Sequence, residues 1–109
     1  MIIKPEDFKQ VYQQDGAEGH SIITTKGIEF VELKLNQGAE IALHSLPFPV
    51  YFYVVEGTGN LQIEDTLTKV DTHSFAICKA HAQRAWKNEL KEPLRLLVVK
   101  QLSETVNAK

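Results

Sequence analysis

An all-β sandwich or barrel is the fold class this sequence predicts, and three observations carry it. Short β-prone segments recur with turn signals at intervals of roughly 8 to 12 residues. No amphipathic helical pattern extends beyond about two turns. The longest strand signal, Val50 to Val55, is an unbroken run of β-branched and aromatic residues. Pro47 and Pro49 precede that run and Glu56-Gly57-Thr58-Gly59 follows it, so a residue type that cannot donate to a ladder bounds one end and φ-tolerant turn residues bound the other.

Taken in order, Pro5 to Tyr12 reads as a short helical turn, with Pro near the first position and Glu6 and Asp7 in the first turn. Asp15 to Gly19 reads as a polar loop, and Ser21 to Thr25 as a short strand stopped by Lys26-Gly27. Ile28 to Leu35 places Val31, Leu33 and Leu35 in alternation with Glu32 and Lys34, the period of a half-buried strand. Asn36-Gln37-Gly38 turns into Glu40 to Ser45, whose last strand position is His44. Beyond Val50 to Val55, Asn60 to Glu64 presents Leu61 and Ile63 on one face, Asp65-Thr66 turns, and Leu67 to Val70 forms the return strand. His73 to Cys78, Gln83 to Asn88 and Leu94 to Gln101 are three more strand candidates. The last of them is apolar on both faces and reads as fully buried. Glu89 to Pro93 connects the final two, and Ser103 to Lys109 reads as a polar, fraying tail.

At 109 residues the chain holds one core, taken as 28–101, with 1–27 as an N-terminal extension. Hydrophobic residues make up 43% and charged residues 24%, an ordinary balance for a globular protein. A net charge of −2, without a cluster of Lys or Arg, argues against a nucleic-acid partner. No apolar run approaches the roughly 20 residues that span a bilayer, and the acidic start MIIKPEDF does not read as a signal peptide, so the expectation is a cytoplasmic protein with no membrane partner. Cys78 is the single cysteine, which excludes an intrachain disulfide and a thiolate-rich metal site; at the end of an apolar run it reads as a small buried hydrophobe.

The stretch from Gly38 to Gly59 and the stretch THSFAICKAHAQRAWKN with EPLRLLVVK after it resemble the two motifs of the cupin superfamily, small jelly-roll barrels. In the first motif a Gly is followed after five residues by His, and a closing Gly ends it. Gly38, His44 and Gly57 stand at those places, and the likeness runs over roughly residues 28 to 101. The resemblance implies a cupin-type jelly-roll barrel, and in many cupins a divalent metal held by two His and a Glu of the first motif and a His of the second. Here Leu46 stands at the second His and Val50 at the Glu. The second-motif His falls on Gln83 or on Arg84, depending on the register chosen.

Leu and Val offer a metal no lone pair, and an inward Arg84 opposes it by charge. The expectation is therefore no cofactor, with a weak set of His44, His81 and Gln83 as the one remaining route to a divalent metal. If His44 faces the interior, alternation places Phe52 and Val54 on the same cavity as Leu46 and Val50, with Tyr51 and Tyr53 outside. Such a cavity is mostly apolar, the usual make-up of a small-molecule pocket, with His44 and Gln83 or Arg84 as polar anchors and Phe52 as an apolar wall. An inward Arg84 points to a carboxylate-bearing ligand. The alternative is an enzyme: a metal-dependent dioxygenase or isomerase, or an epimerase type with His44 as base, as the resemblance allows. His20 and His73 read as solvent-exposed. Tyr51 and Tyr53 on the outer face point to a homodimer. No Gly-x-Ser-x-Gly turn and no phosphate-binding Gly-rich loop is present.

Overall fold

The computed structural model describes residues 1–103; most of the tail expected to fray lies outside the described residues. After a three-residue helical turn at Pro5–Asp7 the chain forms ten strands: β1 (Lys9–Gln14), β2 (Ala17–Thr25), β3 (Ile28–Leu35), β4 (Glu40–His44), β5 (Val50–Glu56), β6 (Gly59–Ile63), β7 (Thr66–Val70), β8 (Phe75–Cys78), β9 (Arg84–Lys87) and β10 (Leu94–Gln101). They make two antiparallel sheets. One runs β1-β2-β3-β10-β5-β8 and the other β4-β9-β6-β7. Among the described residues no helix is long and apolar enough to cross a membrane.

Two expectations fail at the N-terminus. The helical turn stops at Asp7 instead of Tyr12, and residues 17–19 are strand rather than loop. Asp15 and Gly16 both take positive φ, 46° and 87°, and form the two-residue turn that joins β1 to β2 with Gln14 opposite Ala17. Positive φ at both central residues is what matches a hairpin turn to the twist of its strands, and Asp-Gly is among the dipeptides that adopt it most readily. Residues 9–25 thereby become two strands of the larger sheet.

The core lies between the sheets. Val31, Leu33 and Leu35 of β3, Val50, Phe52 and Val54 of β5, and Leu94, Leu96 and Val98 of β10 are buried at alternate positions, as the period of two requires. The four-stranded sheet adds Leu61 and Trp86, whose ring meets Phe52 edge-on at a centroid distance of 5.4 Å. Gly59 of β6 lies against Trp86 because nothing larger fits: a Cβ there would fall 2.5 Å from Leu94 Cδ2 and 3.0 Å from the indole. The barrel is filled solid at one end, where Leu35, Val54, Leu94 and Leu96 are fully buried.

Two polar side chains are buried in this core, and the fold treats them differently. Asn88 donates through Nδ2 to the carbonyls of Leu35 and Glu92, both at 2.9 Å, and its Oδ1 accepts the Leu90 N–H at 3.0 Å. Arg84 makes no ion pair among the described residues, and its Nη1 is buried without a hydrogen-bond partner.

The outer face of the six-stranded sheet is apolar across five strands. Pairing aligns Ile23, Phe30, Val99, Tyr51 and Ile77 in one row. At ~4.8 Å per strand the row is ~19 Å long. It ends on β8, an edge strand whose Phe75 and Ile77 are 59% and 61% exposed.

Candidate functional site

Toward the other end the barrel is open and holds a cavity of about 270 Å³. Its apolar wall comes from Val31 and Leu33 of β3, Phe52 of β5, Val98 of β10 and Trp86 of β9, with Ile41 and Leu46 on the opposite side. Strand geometry dictates the membership. Positions that are core at the filled end continue, two residues at a time, into cavity lining at the open end.

That rule also delivers the polar groups. Lys100 follows Val98 on the inward face of β10, and Glu29 precedes Val31 on the inward face of β3. The two are register partners, and Lys100 Nζ lies 3.8 Å from Glu29 Oε1. On the other sheet, Arg84 and Trp86 alternate inward along β9. Arg84 is paired in register with His44 at the end of β4, past an irregularity that follows Ile41. Arg84 is 4% exposed and Trp86 2% exposed; Arg84 Nη1 and Trp86 Nε1 are the two buried side-chain donors without a partner among the described residues. Burial pushes the Arg84 guanidinium below its ordinary value, with Cys78 opposing the shift. Burial raises the Cys78 thiol, while Arg84 pulls it down and Glu64 adds to the rise. The thiol is therefore neutral at neutral pH and supplies no counter-ion to Arg84.

Of the expected site residues, His44, Arg84, Phe52 and Leu46 line the cavity. His44 does so from the mouth, as an exposed side chain rather than a buried one. Its Nδ1 stands 2.9 Å from the Ala42 carbonyl. A carbonyl only accepts, so Nδ1 carries the proton and Nε2 is the lone-pair nitrogen of the neutral ring. Val50 and Val54 are buried but fill the core instead of bounding the cavity.

Gln83 and His81 stand outside the cavity. Both are exposed in the turn ahead of β9, so they are not strand neighbours. His81 takes a positive φ of 71°, with its N–H donating to the Leu46 carbonyl at 2.7 Å. The Gln83 N–H donates to Glu64 Oε2 at 2.5 Å. Of the two registers open in the second motif, the chain thus turns Arg84 inward. His73 is exposed as expected, with Nδ1 2.9 Å from the Tyr53 hydroxyl, while His20 is half-buried beside the N-terminal turn.

Two features escape a motif-based reading. One is the free indole N–H of Trp86, which becomes visible only once its surroundings prove to hold no acceptor. The other is the Lys100–Glu29 pair. Its signal was present in the alternation Leu94, Leu96, Val98, Lys100, which an apolar reading of both faces hides.

No family model and no curated protein matches this chain. Solved structures do. A protein from Thermotoga maritima described as a predicted oxalate decarboxylase superposes with a TM-score of 0.84 at 14% identity, over 94% of this chain and 100% of the other. An RmlC-like cupin from Shewanella frigidimarina gives 0.82 at 13% identity, over 95% and 92%. The chain has the cupin fold. A conserved protein of unknown function from Streptococcus pyogenes adds a TM-score of 0.73 at 20% identity, covering 84% of this chain and 79% of that one. At such identities the likeness fixes the jelly roll and leaves the activity to be argued from the site.

The metal that the cupin resemblance implies does not fit the residues present. Among the described residues no three His, Cys, Asp or Glu side chains converge. Leu46 turns hydrocarbon into the cavity, and the second-motif position turns in a guanidinium beside His44. A dication there would meet one imidazole and a like charge.

Proposed function

We propose that this cupin binds a small organic anion, with Arg84 as the receptor for its carboxylate. The observation that carries this reading is a guanidinium buried in a largely apolar cavity with an unpartnered donor and no counter-ion among the described residues. A lone buried charge is costly, and proteins keep one where something completes it. A carboxylate is the planar acceptor that fits a guanidinium bidentately. The cavity of about 270 Å³ has room for an acid of modest size. His44 and Phe52 complete the reading, His44 as a mouth-side acceptor through Nε2 and Phe52 as an apolar wall. Thermal melting with valerate, its amide and buffer alone tests it. The acid raises the melting temperature and the amide does not; equal shifts, or none from either, refute it.

One observation favours a second reading, that of an enzyme with a His base. With Nδ1–H held by the Ala42 carbonyl, His44 keeps Nε2 as its basic nitrogen and lines a cavity whose Arg84 would hold an anionic substrate. Turnover that survives in a His44→Gln variant would exclude it.

Two further parts of the reading concern setting. The apolar row from Ile23 to Ile77 supports a homodimer through the outer face of the larger sheet. The single, buried, free Cys78 supports a reducing, cytoplasmic setting, and the net charge of −2 without a basic cluster supports a reading without nucleic acid.

A further inference from the structure

Arg84 is not alone in lacking a partner. Trp86, two residues along the same inward face of β9, lines the same cavity, and its Nε1–H is buried with no acceptor among the described residues. An indole N–H is a donor only, so its missing partner is an acceptor. Val31, Leu33, Phe52 and Val98 of the cavity wall are hydrocarbon, and the acceptors that also line it, on Tyr12, Glu29 and His44, do not reach the indole nitrogen. Cβ atoms two residues apart on one face of a strand are separated by about 6.6 Å. Arg84 and Trp86 are therefore separate points on the wall, and the second acceptor is a group distinct from the carboxylate on Arg84.

Charge adds a second restriction. At the mouth Lys100 is already opposed by Glu29, so the two cancel. The surplus inside the cavity is the single positive charge of Arg84. A ligand with one negative charge neutralises it, and a second carboxylate would be buried against hydrocarbon or meet Glu29.

We infer that the cavity selects a monoanionic oxo or hydroxy acid, with its carboxylate on Arg84 and a second oxygen on the Trp86 N–H. The inference rests on the reading of the cavity as an anion site and adds to it the ligand's charge and its second functional group. It also assigns Trp86, beyond its packing against Phe52, the role of specificity determinant. The discrimination is of the demanding kind, because an acid without the second oxygen leaves a buried donor unpaired.

Matched probes separate the two claims. Valerate carries a carboxylate on a plain chain, levulinate adds one ketone oxygen, glutarate replaces the far end by a second carboxylate, and valeramide removes the charge. Calorimetric or NMR titration of the wild-type protein is expected to give levulinate a Kd about 5- to 10-fold below that of valerate, with glutarate weaker than levulinate. In Trp86→Phe, which keeps an aromatic ring and loses the N–H, the levulinate-to-valerate ratio is expected to fall to about one, whatever change the two acids share. In the wild-type protein the indole N–H proton resonance moves on adding levulinate and stays in place on adding valerate; this readout stands if the variant fails to fold. Equal binding of levulinate and valerate, a ratio that survives in Trp86→Phe, or tighter binding of glutarate overturns the inference and leaves Arg84 as a simple carboxylate receptor. Binding of neither acid above valeramide overturns both readings.

Discussion

Replacing Arg84 by Met gives the sharpest forecast, because it predicts opposite signs for stability and for binding. Arg84 is 4% exposed, and its Nη1 lacks a partner. Met preserves most of the stem and removes the buried charge together with its unsatisfied donor. An unpaired buried donor costs about 1–3 kcal/mol, more when charged. No ion pair is lost in exchange among the described residues. Ligand-free Arg84→Met is therefore expected to be more stable by about 1–3 kcal/mol, a rise in melting temperature of about 4 °C or more for a domain near this size. Binding changes the other way. A charge-assisted hydrogen bond contributes about 1.5–3 kcal/mol, so affinity for valerate falls by about 10- to 100-fold. At a valerate concentration 100 times the wild-type Kd, the wild type gains about 2.7 kcal/mol and the variant about 0.4–1.4 kcal/mol. Scanning calorimetry on both proteins with and without valerate reads all four values. A variant that melts below the wild type would show that Arg84 serves the fold rather than a ligand, and the reasoning would fail at its root.

His44→Ala, at an exposed position, is expected to change stability by no more than about 0.5 kcal/mol and to weaken levulinate and valerate alike; a large drop in melting temperature would contradict its place at the mouth. Gly59→Ala forces a Cβ to 2.5 Å from Leu94 Cδ2 and should cost about 1–3 kcal/mol, read by chemical denaturation. Because burial raises the Cys78 thiol from its ordinary value of 9.0, the unfolded chain releases that proton first; stability is unaffected below pH 9 and declines as pH climbs through and beyond it, and Cys78→Ala should flatten this decline in pH-dependent melts. Light scattering on a sizing column should show a dimer at micromolar concentration, converted to monomer by Ile77→Lys; a wild-type monomer removes the proposed dimer.

What could be read from the residues and what could not divide along physical lines. From Ile28 to Gln101 period-two alternation and Gly or Pro punctuation placed every strand within a few residues, because burial on one face is written directly into that alternation. The helical turn at Pro5–Asp7 and the turn at Asp15-Gly16 are legible, while residues 8–12 and 17–19 differ because acids behind Pro5 outweigh the strand signal that follows and because Ala17 and Gly19 are small enough to pack inward without an apolar signature. His44 and Phe52 were legible as cavity residues from motif and parity. The choice between Gln83 and Arg84 was not, since a one-residue shift exchanges the two faces of a strand. His81 and Gln83 looked like strand neighbours only because spacing does not announce a positive φ at His81. The absence of partners at Arg84 Nη1 and Trp86 Nε1 is a property of everything around them, and no local pattern encodes it.

The account stands on the buried guanidinium as an anion receptor, and a crystal structure of the protein grown with valerate tests that directly. It predicts the carboxylate in hydrogen-bond contact with Arg84 and the alkyl chain against Phe52 and Val98. Water alone around the guanidinium, or a valerate chain lying against Arg84 with its carboxylate in solvent, would contradict it.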